Sequence, residues 1–159
     1  SLNEGLWRAY DLLGVVYDRQ KQYSLAQDAY AAAILINPEY GGLSNNLGAS
    51  YALAGEREKA LEQFREAVEK GYENEMAYNN IGLMLAHLER YEEAVKWFKK
   101  GGSPAKAYNN LGCVYLQQGK HRKAHESFSR AIEKKRDFYE LASENKSMIR
   151  FPGETRNVR

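Results

Sequence analysis

The chain has 159 residues, 43% of them hydrophobic and 28% charged, with a formal net charge of +2 and one cysteine, Cys113. One cysteine excludes an intramolecular disulfide, and the longest wholly apolar run, Tyr30 to Ile36, is far short of the ~18 residues that span a bilayer. A soluble chain of one domain is therefore expected, in the cytoplasm or the periplasm; Ser1 is not a natural first residue, which leaves room for a leader or lipid anchor ahead of it.

Taken in chain order, the same pattern recurs four times. The first unit, about residues 7–40, carries Tyr10, Leu13, Gly14 and Tyr17 at helical spacing, then Ala26, Tyr30, Ala33 and Pro38. The second, about 41–74, repeats it with Ser44, Leu47, Gly48 and Tyr51 at i, i+3, i+4 and i+7, a break at Gly55, and Ala60, Phe64 and Ala67. Each half is an amphipathic helix with one apolar face, and Gly55 suits a left-handed C-cap. The third unit, about 75–102, has Tyr78, Ile81, Gly82, Leu85, Ala94 and Phe98; the fourth, about 103–136, has Tyr108, Leu111, Gly112, Tyr115, Gly119, Ala124, Phe128 and Ala131.

The four glycines Gly14, Gly48, Gly82 and Gly112 lie 34, 34 and 30 residues apart. Small residues on such faces let helix backbones approach, and the aromatic residues fill the space between them. The third unit is four residues short, about one helical turn. The junction Gly101-Gly102-Ser103-Pro104 shows where: the glycines end a helix, Ser103 caps the next, and Pro104 suits its first position. Beyond the last unit, Phe138, Leu141, Ala142, Met148 and Ile149 predict one further amphipathic helix within 137–150, covering the apolar flank of the array, and 151–159 lacks periodicity and is expected to be mobile. The expectation is nine helices and no strand.

A unit of this length cannot bury its apolar face alone, so the units must stack into a solenoid with a long open surface. Such a surface points to binding and not to catalysis. The pattern of aromatic, Leu-Gly, Tyr, Ala, Phe, Ala and Pro over 7–136 resembles the tetratricopeptide repeat (TPR) family. Departures are Tyr72 and Arg136 in place of the terminal proline, and Gly101 in place of a second-helix alanine. The resemblance implies an all-α, right-handed superhelical solenoid of antiparallel helix pairs, four repeats and a C-terminal capping helix. It also implies a concave groove lined by first-helix positions facing away from the core. Those are Arg8, Asp11, Leu12, Val15, Asp18 and Arg19; Gly42, Asn45, Asn46, Ala49, Ala52 and Leu53; Met76, Asn79, Asn80, Leu83, Ala86 and His87; and Lys106, Asn109, Asn110, Cys113, Leu116 and Gln117.

Within these stripes Asn45-Asn46, Asn79-Asn80 and Asn109-Asn110 recur at equivalent places. A carboxamide both donates and accepts, so a file of them either pairs with the backbone of an extended peptide or bridges neighbouring repeats. Val15, Ala49, Met76, Leu83 and Leu116, with Cys113 as a small apolar residue, add shallow apolar surface. TPR proteins that clamp a terminal carboxylate want Lys and Asn four apart in the first unit; the matching positions here are Asp11 and Val15, which speaks against that mode. Asp18-Arg19-Gln20 with Gln27, and Asn45-Asn46-Leu47-Gly48 with Ala54-Gly55, are similar to TPR lipoproteins of bacterial pilus and secretion assembly, especially the Tad type.

Other classes fare worse. His121 and His125 are four apart, but no Glu follows His121 and no third ligand is spaced to join them, so neither a metal nor any other cofactor is expected. Gly119-Lys120 lacks the rest of a phosphate loop. Charge is uneven: residues 1–80 carry 7 basic and 12 acidic side chains, residues 81–159 carry 16 and 9. The cluster Lys120, Arg122, Lys123, Lys134, Lys135 and Arg136 would serve an acidic partner, an anionic surface or nucleic acid. No basic and aromatic residues interleave along the sequence in the single-strand-binding manner, which makes nucleic acid the lesser alternative. Trp7 and Trp97 are expected at repeat edges or in a homo-oligomer contact. The partner expected is a protein or peptide.

Overall fold

The structure, a computed structural model, describes residues 2–134, Ser143 and residues 145–148. Its elements are α1 (Leu2–Arg19), α2 (Tyr23–Ile36), α3 (Gly41–Leu53), α4 (Arg57–Glu69), α5 (Glu75–His87), α6 (Tyr91–Lys100), α7 (Pro104–Gln117) and α8 (His121–Lys134). Among the described residues there is no strand, as the 3.6-residue period of every apolar segment requires. The most extensive packing joins α1 to α2, α3 to α4, α5 to α6 and α7 to α8; α2–α3, α4–α5 and α6–α7 link successive pairs. Helix pairs stacked in chain order make a solenoid.

What closes each pair is a glycine under an aromatic ring sixteen residues later. A Cβ placed on Gly14 would lie 2.6 Å from Tyr30, on Gly48 2.8 Å from Phe64, on Gly82 2.6 Å from Phe98, and on Gly112 it would run into Phe128. All four rings are buried, and Ala26, Ala33, Ala60, Ala67, Ala94, Ala124 and Ala131 are fully buried beside them. Trp7 stacks at a tilt on Tyr40 (5.2 Å between centroids) and Trp97 on Tyr78 (5.9 Å), so both tryptophans pack at repeat edges.

Every hairpin turn uses one left-handed residue at the same place: Lys21 (φ 59°), Gly55 (84°), Glu89 (62°) and Gly119 (70°). The next amide then reaches back into the finished helix, as in Gln22 N to Tyr17 O (2.9 Å) and Lys120 N to Tyr115 O (2.8 Å), which satisfies an end carbonyl. Ser103 Oγ accepts from Lys106 N (3.2 Å) with Pro104 opening α7, as expected. Asn74 Oδ1 caps α5 in the same way through Ala77 N (2.9 Å). The short third unit shows in α6, with 10 residues against 13 in α4 and 14 in α8. At its end, a Cβ on Gly101 would meet Glu75 O at 2.9 Å and Asn79 Oδ1 at 3.0 Å. The missing alanine is thus explained, because the chain there runs directly against the first turns of α5.

Leu13 is 39% exposed, whereas Leu47, Ile81 and Leu111 at the equivalent position are 7%, 0% and 6% exposed. The latter three each face the second helix of a preceding pair, and α1 has none before it in the structure. Most of the helix expected within 137–150, and all of 151–159, lies outside the described residues; Ser143 and residues 145–147 are helical. Met148, assigned above to the apolar face of that helix, instead sits in a turn and is exposed. Among the described residues no helix is long and apolar enough to cross a membrane.

Two outcomes are expected in thermal melts. Gly82→Val forces Phe98 out of its seat and destabilises by about 1–3 kcal/mol, a fall of about 2–4 °C per kcal/mol for a chain this size. Lys21→Gly removes a left-handed Cβ clash worth about 1–2 kcal/mol and raises the melting temperature.

Candidate functional site

The first helices α1, α3, α5 and α7 carry all the positions expected to line the groove, and α1–α3 and α5–α7 touch directly. Val15, Ala49, Leu83, Cys113 and Leu116 are half-buried, and Met76 is exposed. Between α5 and α7 a cleft of about 240 Å³ is lined by Asn79, Asn80, Leu83, Asn110, Cys113 and Gln117, over Phe98 and Val114. Burial alone raises the Cys113 thiol above its ordinary pKa. The neutral thiol therefore persists at physiological pH and acts as a small apolar group.

The asparagines are joined from repeat to repeat. Asn46 Nδ2 donates to Asp11 Oδ1 (2.8 Å), Asn80 Nδ2 to Asn45 Oδ1 (3.2 Å), Asn110 Nδ2 to Asn79 Oδ1 (3.4 Å) and Asn145 Nδ2 to Asn109 Oδ1 (3.1 Å). Where two pairs meet, the donor is the second residue of the later pair and the acceptor the first of the earlier one; Asp11 and Asn145 take the end places, and every bond reaches 31 to 36 residues back. The bridging role left open by the sequence is thus present at every rung. In the first and third pairs the two members differ in setting: Asn45 and Asn109 are only 4% and 8% exposed, while Asn46 and Asn110 are half-exposed; in the middle pair Asn79 and Asn80 are both half-exposed. Gly42 and Ala86 are likewise buried, Ala86 within the hydrophobic core, and neither is part of an open groove wall.

Sequence reasoning missed three members of this architecture. Asp11 starts the ladder in place of an asparagine. Asp18 accepts from Tyr30 Oη (3.1 Å) and Ser50 Oγ (2.7 Å), locking the first repeat to the second. Burial first, and the Asp18 charge next, push the Tyr30 phenol far above its ordinary value. Asn145 extends the ladder to a fourth rung and also approaches Cys113 Sγ (3.9 Å). The 35- and 36-residue spacings from Asp11 to Asn46 and from Asn109 to Asn145 were the available signal. His121 and His125 belong to no cluster of three or more metal-ligating side chains among the described residues.

Asn80→Ala strips the donor from the buried Asn45 carbonyl, which costs about 1–3 kcal/mol and lowers the melting temperature. A double-mutant cycle on Asn45 and Asn80 should show coupling of about 0.5–1.5 kcal/mol, and Asn110→Ala should cost less than Asn80→Ala, because its acceptor Asn79 is half-exposed and the bond is longer, 3.4 Å. His87, on the same stripe, is held below its ordinary pKa by burial and then by Arg57. The unfolded chain therefore takes up that proton first. Stability from His87 is complete above about pH 6.5 and declines as pH falls below it; His87→Gln should flatten that part of a melting-temperature profile.

Three tetratricopeptide repeat family models match the chain, over residues 8–40, 45–107 and 105–138. The peroxisomal targeting signal receptor of Candida albicans is 26% identical over 144 residues, 89% of this chain and 24% of that protein. The BBSome complex member BBS4 of Bos taurus is 29% identical over 134 residues, 84% of this chain and 25% of that protein. The chain thus spans about a quarter of the length of these curated relatives. Among solved structures, YrrB, described as a TPR protein with an unusual peptide-binding site, superposes with a TM-score of 0.66 and 27% identity over 89% of this chain and 75% of that one. The helix pairs, the glycine-under-ring packing and these matches agree: the chain belongs to the tetratricopeptide repeat family, a family of non-catalytic protein interaction scaffolds.

Proposed function

We propose that the groove formed by α1, α3, α5 and α7 holds an extended segment of a partner protein through that segment's backbone. One observation carries this reading: the ladder leaves most of its hydrogen-bonding capacity unused beside an apolar cleft. An asparagine side chain has two N–H groups and a carbonyl with two lone pairs. Asn80 and Asn110 each spend one N–H on the rung behind, and Asn79 spends one lone pair. The remainder faces the cleft that Leu83 and Cys113 line. Bridging therefore fixes the carboxamides in place and preorganises them for a peptide, which reduces the ordering cost of binding. Recognition of this kind reads backbone more than side chains and tolerates varied sequences. The peptide-binding description of YrrB favours the same reading.

The finer role, in assembly of a multi-protein complex such as a pilus or secretion system, rests on less. Asp18 and Gln27 of the phrases that resemble those assembly proteins bond to Ser50 and Glu56 of the next repeat. They carry architecture and not the choice of partner.

The test is peptide selection on the immobilised chain, then calorimetric titration of the selected peptide. N-methylation of a peptide amide that meets the ladder should weaken binding by about 0.5–1.5 kcal/mol. Leu83→Glu, whose carboxylate must lose water on binding, should weaken it by more while leaving the melting temperature close to that of the parent. Binding indifferent to both changes would place the peptide elsewhere.

A further inference from the structure

The two halves of the sequence carry opposite charge, and three cations of the basic half meet in one cleft. Between the second helices α6 and α8, over the outer side of α7, lies a cleft of about 350 Å³. Lys96, Lys99 and Arg130 converge on it above an apolar floor of Val95, Tyr108 and Tyr115. Lys99 Nζ and Arg130 Cζ sit 5.5 and 5.8 Å from the centre of the same Tyr108 ring. Basic and aromatic groups that do not alternate along the sequence are thus interleaved in space.

These cations are not consumed by the fold. Lys59, Lys70, Arg90, Lys106 and Lys120 each hold a carboxylate at 2.5 to 2.8 Å. Lys96, Lys99 and Arg130 form no ion pair with any described carboxylate. Nor does the helical repeat demand positive charge here. One unit earlier, 34 residues before Lys96, stands Glu62, and the outer face of α4 is lined by Glu58, Glu62, Glu66 and Glu69 with a single cation, Arg65, which matches Lys99. The position of Lys96 is acidic in the second unit and basic in the third, so the packing does not fix its sign, which is free to follow a ligand.

We infer that the cleft between α6 and α8 binds a short acidic segment of a partner protein that also presents one bulky apolar side chain. Arg130 offers a planar fork for a carboxylate and the lysines offer point charges beside it. The tyrosine rings and Val95 take the apolar side chain, and the rings hold the cations in place. The segment is short because carboxylates bound the cleft: Glu92 lies on its rim, and Glu89 and Glu93 line the adjoining depression. A nucleic-acid strand, with a phosphate at every nucleotide, would be driven across those carboxylates. This site shares no lining residue with the asparagine cleft, and its fate does not depend on the groove reading.

The probe is an acetylated, amidated peptide of aspartate and glutamate around one central phenylalanine, followed by fluorescence anisotropy and by amide chemical shifts of the labelled chain. Saturable one-to-one binding is expected, with shifts centred on α6 and α8. Lys99→Gln with Arg130→Gln should weaken it about tenfold or more, since each lost charge-assisted contact is worth about that much. Both residues are exposed, so the double variant should keep the parent's circular dichroism and melting temperature. Leu83→Glu in the other groove should leave binding unchanged, and glycine in place of the phenylalanine should weaken it. The inference is overturned if the double variant binds as the parent does, if the glycine peptide binds equally well, or if oligothymidylate of equal charge displaces the peptide at lower concentration. It also fails if sedimentation shows that the chain self-associates through this cleft, with the acidic face of α4 in a second copy as the occupant.

Discussion

Each helix pair depends on a backbone approach so close that only a hydrogen atom fits on the first helix beneath the ring of the second. Gly14, Gly48, Gly82 and Gly112 supply that gap, and Tyr30, Phe64, Phe98 and Phe128 fill it. Because a ring needs a flat seat, the pair can close in one rotation and one register, and small residues such as Ala60, Ala94 and Ala124 keep the rest of the contact equally close. The stacking of pairs, the groove and the outer cleft all inherit their geometry from this contact. A solenoid has no central core to correct an error in one unit, so each unit must be right by itself and against its neighbours.

The asparagine ladder is the polar counterpart of that packing. Between successive first helices the backbones lie near enough for a short carboxamide to reach across, and the row of bonds from Asp11 to Asn145 runs the length of the described array. A buried amide is tolerated only when paired, which accounts for Asn45 and Asn109 being the acceptors at protected positions. The same bonds orient the half-exposed partners toward the groove. Stability and recognition therefore draw on the same side chains, so a change at a rung alters both at once.

The outer surface follows another rule. The packing of α4 and α6 does not prescribe every charge on their solvent side: Lys96 stands where the earlier unit has Glu62, while Lys99 matches Arg65. Two ion pairs join adjacent repeats, Lys106 with Glu75 and Lys120 with Glu89, and three more are local to one repeat. These exposed pairs contribute little energy, whereas uncompensated cations over aromatic rings keep their full potential for an anion.

The amino-acid sequence by itself determined what is periodic and local. The helical faces, the Gly55 turn, the Ser103-Pro104 start of α7, the shortened third unit and the glycine and aromatic pattern of each pair are all written within a few turns of chain. The left-handed turns at Lys21 and Glu89 were hidden, because those residues carry no sign of the conformation that the helix ending forces on them. What only the tertiary structure decided lies between repeats: that Asp11 begins the ladder, that Asp18 joins Ser50 and Tyr30, that Asn45 and Asn109 are buried while Asn46 and Asn110 stay half-exposed, and that Lys99 and Arg130 meet over one ring. The physical reason is one of distance and angle. The ladder bonds join residues 31 to 36 positions apart, and which side chains meet depends on the rotation of one packed helix against the next, a quantity that no single helix encodes.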